Sequence, residues 1–398
     1  MKPSFLLSSI AIKNFKAVRN SGTVKLTPLT VFIGNNGSGK SSLIEGLETY
    51  QETVTHGLDA AMGRWLGFEH VWNKRARHHR KNIGAEDETY ENPMMFALRG
   101  RLSRGSFTVQ LDISADPGIN GVRIEREFIK LSSNLLVDRD RRGHATISRD
   151  SESERQESFH PFESATPREF STIVGNWQFL SFDPGRMGMP MRQMMAPAPC
   201  KLLRDGSNLG QYLWEIRQQD LVAFEGILEA LRFVLPFSSD IQPRVTQEIE
   251  RLVHLQMTEA DFKAPGWLLS TGTLRVLAIL AVLRHPYPPP LLVIEEIENG
   301  LDPRTLQLVV EEIRGVLGVG RHRREPGALD RREIPSGALD VDRVLDLLDL
   351  SHLVLTERVN EEPRFTRPAD REDLQRWVQD FSPGQLYTMG RLTDGNPA

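Results

Sequence analysis

The sequence predicts an α/β fold with a mainly parallel core sheet, an antiparallel β lobe and a helical insertion. Three observations indicate it: a strand, glycine-rich turn and helix at Val31–Tyr50, an apolar run ending in two acids at Leu291–Glu296, and alternating apolar and polar residues through 94–131. The apolar run is typical of a parallel strand buried on both faces. Alternation is typical of antiparallel strands with one solvated face. The two patterns therefore predict a parallel core and a separate antiparallel lobe.

Composition predicts an ordinary globular protein. Of its 398 residues, 39% are hydrophobic and 26% are charged, and the length allows two or three domains. No apolar run in the sequence approaches the roughly 20 residues that cross a bilayer. The single cysteine, Cys200, excludes an intramolecular disulfide and suits a reducing cytoplasm, so we expect a cytoplasmic protein with no membrane partner. A net charge of -4 argues against nucleic-acid binding over the whole surface, but it permits a local basic patch.

The glycine-rich turn has the spacing of a phosphate-binding loop, Gly34-x4-Gly39-Lys40-Ser41. Such a loop turns backbone N–H groups inward around an anion, and the helix that follows adds its dipole. Lys40 would reach the β- and γ-phosphates, and the Ser41 hydroxyl would hold Mg²⁺. Glycine and serine are also ordinary turn residues, but the strand–loop–helix context favours a nucleotide site. The predicted nucleotide-binding residues are Asn36, Gly37, Ser38, Gly39, Lys40, Ser41 and Ser42.

Two acids, Glu295 and Glu296, follow the apolar run "LLVI". Ligands of open α/β sheets bind beyond the carboxyl ends of the strands. Beside a phosphate loop, the first acid would support Mg²⁺ directly or through water. The second would orient and deprotonate the attacking water. A surface strand could also end in two acids, but the phosphate loop favours a Walker B motif.

The segment "LLSTGTLR" at Leu268–Arg275 precedes a long apolar helix. Ser270, Thr271 and Gly272 would place hydroxyl and N–H groups at the positive end of that helix, which suits a phosphate. Serine and threonine are equally ordinary helix N-caps, and taken alone the segment favours a cap.

Taken in this order, the motifs resemble those of ABC-type ATPase heads of the SMC/RecF/OLD group, especially stand-alone OLD-like AAA family ATPases. The resemblance implies an ABC-type P-loop NTPase head that uses ATP and Mg²⁺. It implies that two heads pair face to face, as a homodimer or higher oligomer, so that Ser270 and Gly272 of one head cap the γ-phosphate held by the other. Asn299–Asp302 would then form a loop across the dimer. The matching segments are "IKNFKAVRN", "GNNGSGKSS", "DGSNLGQYL" at Asp205–Leu213, "LLSTGTLRVLAIL" and "VIEEIENGLDP".

Three departures from the family pattern affect the expected activity. Glu295 stands where stricter ABC heads have aspartate, and we expect no Toprim nuclease domain of the kind that full OLD proteins carry. Relatives also carry a strand ending in threonine–histidine–serine before "LLDL", and here Asp340 occupies the histidine position. We therefore expect slow hydrolysis with intact Mg-ATP binding. If hydrolysis is fast, His352 is the first candidate to replace the histidine.

We expect one ABC-type head over 1–398, with a helix at Ser41–Thr55 and a helical stretch at Ser207–Leu235 capped by Ser207. The polar stretch Asp138–Arg168 is interpreted as a mobile excursion. The expected subdivisions are a β-meander lobe with basic and polar loops at 56–168, a helical or lever insertion at 190–262, and an irregular loop at 318–343 in place of the switch segment.

Two functions remain open. The first is an ATP-hydrolysing dimer that acts with DNA, a partner effector such as a nearby-encoded nuclease or toxin, or both, in DNA repair or phage defence. The second is a nucleotide-binding scaffold with impaired hydrolysis inside an effector or toxin complex. A small-molecule kinase is disfavoured because it needs no signature acting on a second head. The basic stretch Lys74–Lys81 could contact DNA phosphates, or it could be a solvated loop neutralised by the acids that follow.

Overall fold

The computed structural model describes residues 5–78, 92–116, 121–132, 134–150, 153–160, 163–193, 200–236, 240–247, 251–259, 262–318, 345–377 and 379–392. The chain divides into two compact units. Unit 1 comprises 1–177 together with 348–398, and unit 2 comprises 178–347. The single ABC-type head expected over 1–398 stays a prediction. The expected irregular loop at 318–343 lies outside the described residues apart from Gly318.

The strands and helices are numbered in chain order. The strands are β1 Phe5–Phe15, β2 Val18–Asn20, β3 Val24–Lys25, β4 Val31–Ile33, β5 Met94–Leu102, β6 Gly105–Asp116, β7 Gly121–Leu131, β8 Asn134–Arg139, β9 His144–Asp150, β10 Ser153–Ser158, β11 Gln178–Leu180, β12 Met191–Arg192, β13 Asp240–Val245, β14 Leu252–Glu259, β15 Phe262–Pro265, β16 Leu292–Ile294, β17 Leu353–Val359 and β18 Glu362–Thr366. The helices are α1 Lys40–His56, α2 Leu58–Gly63, α3 Phe68–Val71, α4 Arg168–Gly175, α5 Pro184–Met187, α6 Leu209–Gln219, α7 Leu221–Val234, α8 Thr271–Leu283, α9 Pro303–Leu317, α10 Glu372–Trp377 and α11 Pro383–Thr388.

The largest sheet belongs to unit 1 and is antiparallel. Its nine strands run in the order β10-β9-β8-β7-β6-β5-β1-β2, with β3 paired to β1. Strands β5, β6 and β7 form the expected meander, and alternate residues of β5, such as Met94, Phe96 and Leu98, are buried. A Cβ added at Gly46 would lie 2.4 Å from Ile12 Cδ1. This short distance shows that helix α1 packs closely on the sheet. The sheet thus supports the helix that follows the phosphate loop.

The polar stretch interpreted as a mobile excursion, Asp138–Arg168, instead continues the meander through β9 and β10. Strand β8 pairs with β9, with Val137 opposite Ile147. Val137 and Arg139 point inward and are both fully buried. Further along, the described side chains of β10, Gln156–Ser158, are all exposed, and the strand is held by its backbone pairing with β9. The polar composition therefore hid these strands, and the prediction of an excursion was wrong here.

A second sheet of unit 1 carries the phosphate loop, in the order β18-β17-β4. Strand β4 runs parallel to β17, with Ile33 opposite Leu355, and β17 pairs antiparallel with β18. The carboxyl ends of β4 and β17 therefore lie at the same edge, where the phosphate loop begins.

Unit 2 combines one parallel strand pair with a small antiparallel sheet. Strand β11 pairs in parallel with β16, and the four-stranded sheet has the order β12-β14-β13 with β15 beside β14. The predicted helical insertion at 190–262 thus contains strands as well as α6 and α7. The predicted single helical stretch is two helices, and Asp220 accepts from Ala223 N to cap the second. Ser207 lies outside α6, whose N-cap is Asn208.

The fold is mixed α/β, as expected, but the prediction of a mainly parallel core sheet was wrong. Within the described residues, the parallel pairs are β4 with β17 and β11 with β16, whereas the dominant sheet is antiparallel. The apolar run before Glu295 is only partly buried in strand β16. None of the helices in the described ranges combines the length and apolar character needed to cross a bilayer.

Candidate functional site

Close packing against the middle of β17 shapes the first turn of the phosphate loop. A Cβ added at Gly34 would lie 2.0 Å from Thr356 O and 3.0 Å from Ser38 Oγ. A side chain at this position would therefore collide with the neighbouring backbone. Thr356, the middle residue of β17, therefore forms one wall of the loop, and its carbonyl requires glycine at the first loop position.

Two further glycines set the curvature of the loop. Gly37 has φ 77° in open space, and Gly39 has φ 109° while its position faces the Pro363 ring, whose Cγ would lie 2.6 Å from an added Cβ. L-residues with side chains rarely adopt such φ values. Gly39 is thus required both by conformation and by the proximity of β18. These glycines turn the backbone around a space suited to an anion.

The N-terminus of α1 is open to a ligand. Gly39 is its N-cap in a left-handed conformation, and no side chain from the described residues caps it. The first N–H groups of a helix lack partners within the helix, and their positive potential attracts phosphate. Lys40 Nζ donates to Asn35 O at 3.1 Å and also to Gly34 O, and it forms no ion pair within the described ranges. The loop therefore combines free helix N–H groups with a cation.

The remaining predicted loop residues differ in exposure. Asn36 and Ser41 are exposed, and Ser42 is half-buried. Ser38 is buried, its amide donates to Asn35 O, and its hydroxyl finds no hydrogen-bond partner among the described residues. The nearby Thr356 hydroxyl is likewise buried and unpartnered there. The Ser38 side chain thus turns into the protein, and Ser41 presents the accessible hydroxyl.

In unit 2, the predicted Mg²⁺ acid is engaged by an arginine. Glu295 N donates to Leu180 O at 2.8 Å, which places Glu295 at the carboxyl ends of β11 and β16. Its carboxylate accepts a close hydrogen bond from Arg204, in the segment just before "DGSNLGQYL". Glu295 therefore lies where the strand pattern predicted, but its charge is balanced by Arg204.

Glu296 adopts an unusual backbone conformation with φ 52°. Its exposed carboxylate accepts from Asn299 Nδ2 at 3.3 Å. Its backbone carbonyl accepts from Asn299 N at 3.0 Å and from Arg275 Nη1 at 3.2 Å. A left-handed conformation at a residue other than glycine costs about 1–3 kcal/mol and often marks functional sites. The turn thus projects the Glu296 carboxylate toward solvent, available to a water molecule.

The signature segment caps α8, as the local pattern predicted. Ser270 Oγ accepts from Thr273 N at 3.1 Å and contacts the Thr273 hydroxyl at 2.7 Å. A Cβ added at Gly272 would lie 3.0 Å from Gly300 O. The signature therefore packs against the predicted dimer loop Asn299–Asp302 of its own chain.

Sequence reasoning assigned no role to Arg275 or Arg204. Arg275 is buried in α8, where it donates to Phe182 O at 3.1 Å and to Glu296 O. It therefore links the signature helix to the Walker B turn and to the segment after β11. A charged residue inside the apolar run "TLRVLAILAVL" was a usable signal for Arg275. Arg204 gave no such signal, because only the fold brings it to Glu295.

The region expected to replace the switch histidine lies partly outside the described residues, and Asp340 is among the residues not described. His352 is buried, and its Nδ1 accepts from Asp349 N at 3.1 Å in a capping box. That contact gives His352 a structural function in unit 1. The basic stretch is described as far as His78, with Lys74–His78 in a 3-10 helix.

The residues predicted to hold Mg²⁺ have suitable donor chemistry. The Ser41 hydroxyl and the Glu295 carboxylate are oxygen ligands of the kind that Mg²⁺ prefers, completed in nucleotide sites by water and substrate phosphates. No cluster of three or more His, Cys, Asp or Glu residues suited to a metal occurs in the described part of the chain. Each of the Ser41 and Glu295 side chains by itself offers the oxygen donor that a nucleotide-linked Mg²⁺ uses.

Comparison with known proteins identifies the family. Residues 29–321 match the family model described as "AAA domain, putative AbiEii toxin, Type IV TA system". Similar solved structures include an SMC head domain from Thermotoga maritima, at 12% identity and TM-score 0.41, covering 91% of this chain and 98% of that one. Another is RecF–ATP, a recombination mediator of the RecFOR pathway, at 12% identity and TM-score 0.34, covering 78% and 91%. A search of curated protein sequences finds no match. Because the family model matches well over half of the chain, this protein belongs to that AAA domain family.

Proposed function

We propose that this protein binds and hydrolyses ATP, dimerises around it, and acts with DNA, a partner effector, or both, in DNA repair or phage defence. One observation carries the proposal: the glycine-shaped loop opens onto the uncapped N-terminus of α1 beside Lys40. Membership of the AAA family supports it. A loop of this geometry binds phosphates through backbone N–H groups, a helix dipole and a lysine.

The residues of each unit take distinct parts in this proposal. In unit 1, Lys40 and the first N–H groups of α1 hold the phosphates, and the exposed Ser41 hydroxyl supplies a Mg²⁺ ligand. In unit 2, Glu296 orients a water molecule and accepts its proton. Mg²⁺, when bound, neutralises charge on the phosphates. The Glu296 turn, anchored by Asn299 and Arg275, holds the carboxylate toward solvent in this role.

The proposal also includes dimerisation and binding to a partner molecule. Ser270 and Gly272 would act on ATP held by a second copy, as in the heads that the sequence resembles. The family description names a type IV toxin–antitoxin system, which supports an effector or toxin partner. For DNA, support comes from a surface cavity of about 350 Å³ in unit 1, whose lining includes basic side chains. They are Lys16, Lys74, Arg75 and Arg358, of which Lys16 pairs with Glu45 and Arg75 with Glu361, itself part of the lining.

One observation favours the alternative of a scaffold with impaired hydrolysis. The Glu295 carboxylate is engaged by Arg204, so the acid expected to support Mg²⁺ already has a positive partner. A scaffold would bind ATP and pair with its partner but turn ATP over very slowly. Turnover measurements therefore decide between the two functions.

The deciding experiment measures steady-state ATP turnover by the full chain, with and without DNA, beside equilibrium ATP binding. We expect turnover below the ~1–100 s⁻¹ typical of kinases. Glu296→Gln should retain ATP binding but lower turnover by about a hundredfold to ten-thousandfold, because the amide cannot accept the proton. Lys40→Ala should abolish ATP binding.

Glu298→Gln is the matched control, since Glu298 is an exposed acid in the same turn. Its turnover should equal that of the unaltered protein. Equal losses in Glu298→Gln and Glu296→Gln would refute the assigned base. Unchanged ATP affinity in Lys40→Ala would refute the phosphate loop. ATP binding without turnover above background, in the presence or absence of DNA, would establish the scaffold instead.

A further inference from the structure

The ion pair between Arg204 and Glu295 joins the first Walker B acid to a segment 91 residues earlier in the chain. Arg204 Nη2 donates to Glu295 Oε1. The Glu295 side chain is 17% exposed and the Arg204 side chain 37% exposed, so water only partly screens the pair. The neighbouring Glu296 carboxylate is exposed and faces Asn299 instead. Of the two adjacent acids, Arg204 therefore binds Glu295, the one expected to support Mg²⁺.

Backbone contacts hold both partners of this pair in place. Ser181 N donates to Arg204 O at 2.8 Å, and Asp183 N donates to Asp205 O at 3.0 Å, so the Arg204 segment follows the chain that leaves β11. Glu295 N donates to Leu180 O on the same strand. Because both backbones are anchored to one strand end, the ion pair forms with a smaller loss of backbone conformational entropy than a pair on mobile loops.

We propose that Arg204 is a positioning residue that competes with Mg²⁺ for the Glu295 carboxylate and thereby sets the Mg²⁺ concentration at which this protein binds Mg-nucleotide. The inference rests on the proposed function, since it concerns the same site. A guanidinium and a divalent cation on one carboxylate repel each other, so each weakens the other's binding. Arg204 must turn away from Glu295 when the metal binds there. The Arg204 contact thus orients the Glu295 carboxylate while it lowers the affinity of that carboxylate for Mg²⁺.

The test titrates Mg²⁺ against binding of a fluorescent ATP analogue to the full chain and needs no hydrolysis. Arg204→Gln removes the charge and leaves a shorter polar side chain. It should lower the half-saturating Mg²⁺ concentration by about tenfold, a coupling within the usual range. Arg204→Lys, which keeps the charge, should stay near the unaltered protein. Nucleotide binding in excess EDTA should be the same in all three proteins.

Arg186→Gln is the matched control. Arg186 lies close by and pairs with Asp205 at 2.6 Å, the residue after Arg204. Loss of the Arg186 charge should change the half-saturating Mg²⁺ concentration by less than about twofold, because Asp205 has no proposed contact with the metal. Thermal unfolding of each variant shows whether the fold is retained. In a Glu295→Gln background, Arg204→Gln should produce no further shift, since the shared carboxylate is gone.

Each outcome decides the inference. An unchanged Mg²⁺ dependence in folded Arg204→Gln, with normal nucleotide binding, overturns it and leaves the proposed function standing. A higher Mg²⁺ requirement in Arg204→Gln also overturns it, because Arg204 would then assist the metal. A shift that persists in the Glu295→Gln background shows that Arg204 acts elsewhere and likewise overturns it. Failure of the unaltered protein to bind nucleotide at any Mg²⁺ concentration would refute the proposed function and this inference with it.

Discussion

At the scale of single residues, the environment of each side chain matters as much as its position in a motif. Glu295 and Glu296 are adjacent and chemically identical, yet one is bound by Arg204 and the other is exposed at a strained turn. The backbone conformation of Glu296 turns its carboxylate away from that of Glu295. Two acids with different surroundings can take two different tasks, one supporting a cation and one acting on water.

The reactivity of Cys200, the single cysteine, depends on its surroundings in unit 2. Burial, and after it the nearby negative charge of Glu215, raises the pKa of its thiol from 9.0 to about 12. Asn208 Nδ2 also lies 3.7 Å from Sγ. Since the thiolate is the reactive form, iodoacetamide should modify native Cys200 far more slowly at pH 8 than a free cysteine.

The shift of three pKa units corresponds to about a thousandfold less thiolate. Mass spectrometry of timed samples measures the rate of modification. The same protein in urea is the control, because unfolding restores an ordinary thiol. Native labelling as fast as labelling in urea would show that Cys200 lies in an open, polar environment.

At the scale of elements, the N-terminal caps of α8 and α9 hold the signature segment and the turn that follows the Walker B acids in unit 2. Ser270 caps α8, and Asp302 caps α9 by accepting from Arg304 N and Thr305 N, each at 3.1 Å. Gly300, at φ 74°, lies between these caps in sequence and contacts the signature. The N-terminal ends of α8 and α9 thus meet at the turn that also carries Glu296.

The Asp302 cap predicts a pH-dependent contribution to stability. Partial burial alone would raise the pKa of Asp302, but hydrogen bonds from Thr305 and Arg304 outweigh it and lower the pKa below its ordinary value. A carboxylate with a lowered folded-state pKa stabilises the fold above its unfolded pKa, and that contribution is lost as pH falls through the folded value.

Asp302→Ala should therefore lower the free energy of unfolding by about 1 kcal/mol at pH 7, with a smaller loss in acid. Urea denaturation at pH 7 and at progressively lower pH measures this difference. Asp302→Asn serves as the control, because the amide oxygen still caps the helix but carries no charge. A cost for Asp302→Ala that is the same at every pH would contradict the role of the ionised carboxylate.

At the scale of the whole molecule, the phosphate loop belongs to unit 1, whereas the Walker B acids and the signature belong to unit 2. Each unit thus carries part of the proposed machinery. The proposed dimer adds a second requirement, since Ser270 and Gly272 of one copy would act on ATP held by another. Pairing of two copies is therefore the property to test at this scale.

Ser270→Arg should prevent ATP-dependent pairing without weakening ATP binding to a single copy, because a long cation at the signature blocks the second copy. The background is Glu296→Gln, which should accumulate the ATP-bound dimer, and size-exclusion chromatography with ATP measures pairing. Ser270→Ala is the control, since it also loses the α8 cap hydrogen bond but adds no bulk. Pairing of Ser270→Arg as complete as that of the Glu296→Gln background alone would contradict action of the signature across the dimer.

The sequence by itself determined the features that depend on local spacing. The phosphate loop, α1 and the β5–β7 meander all lie where spacing and periodicity placed them, because glycine conformations and alternating side chains act over a few residues. The Ser270 cap was predictable for the same reason. The glycine-rich turn before α1 could thus be placed without a structure, whereas its nucleotide chemistry stays a prediction.

Only the tertiary structure decided the features that depend on distant contacts. Arg204 reaches Glu295 across 91 residues, and Arg275 reaches the carbonyls of Phe182 and Glu296. Strand β8 escaped detection because the buried Arg139 reads as polar, although its guanidinium donates to His160 O inside the fold. Pairing between distant segments is set by packing and hydrogen bonding of the whole chain, which local periodicity does not encode.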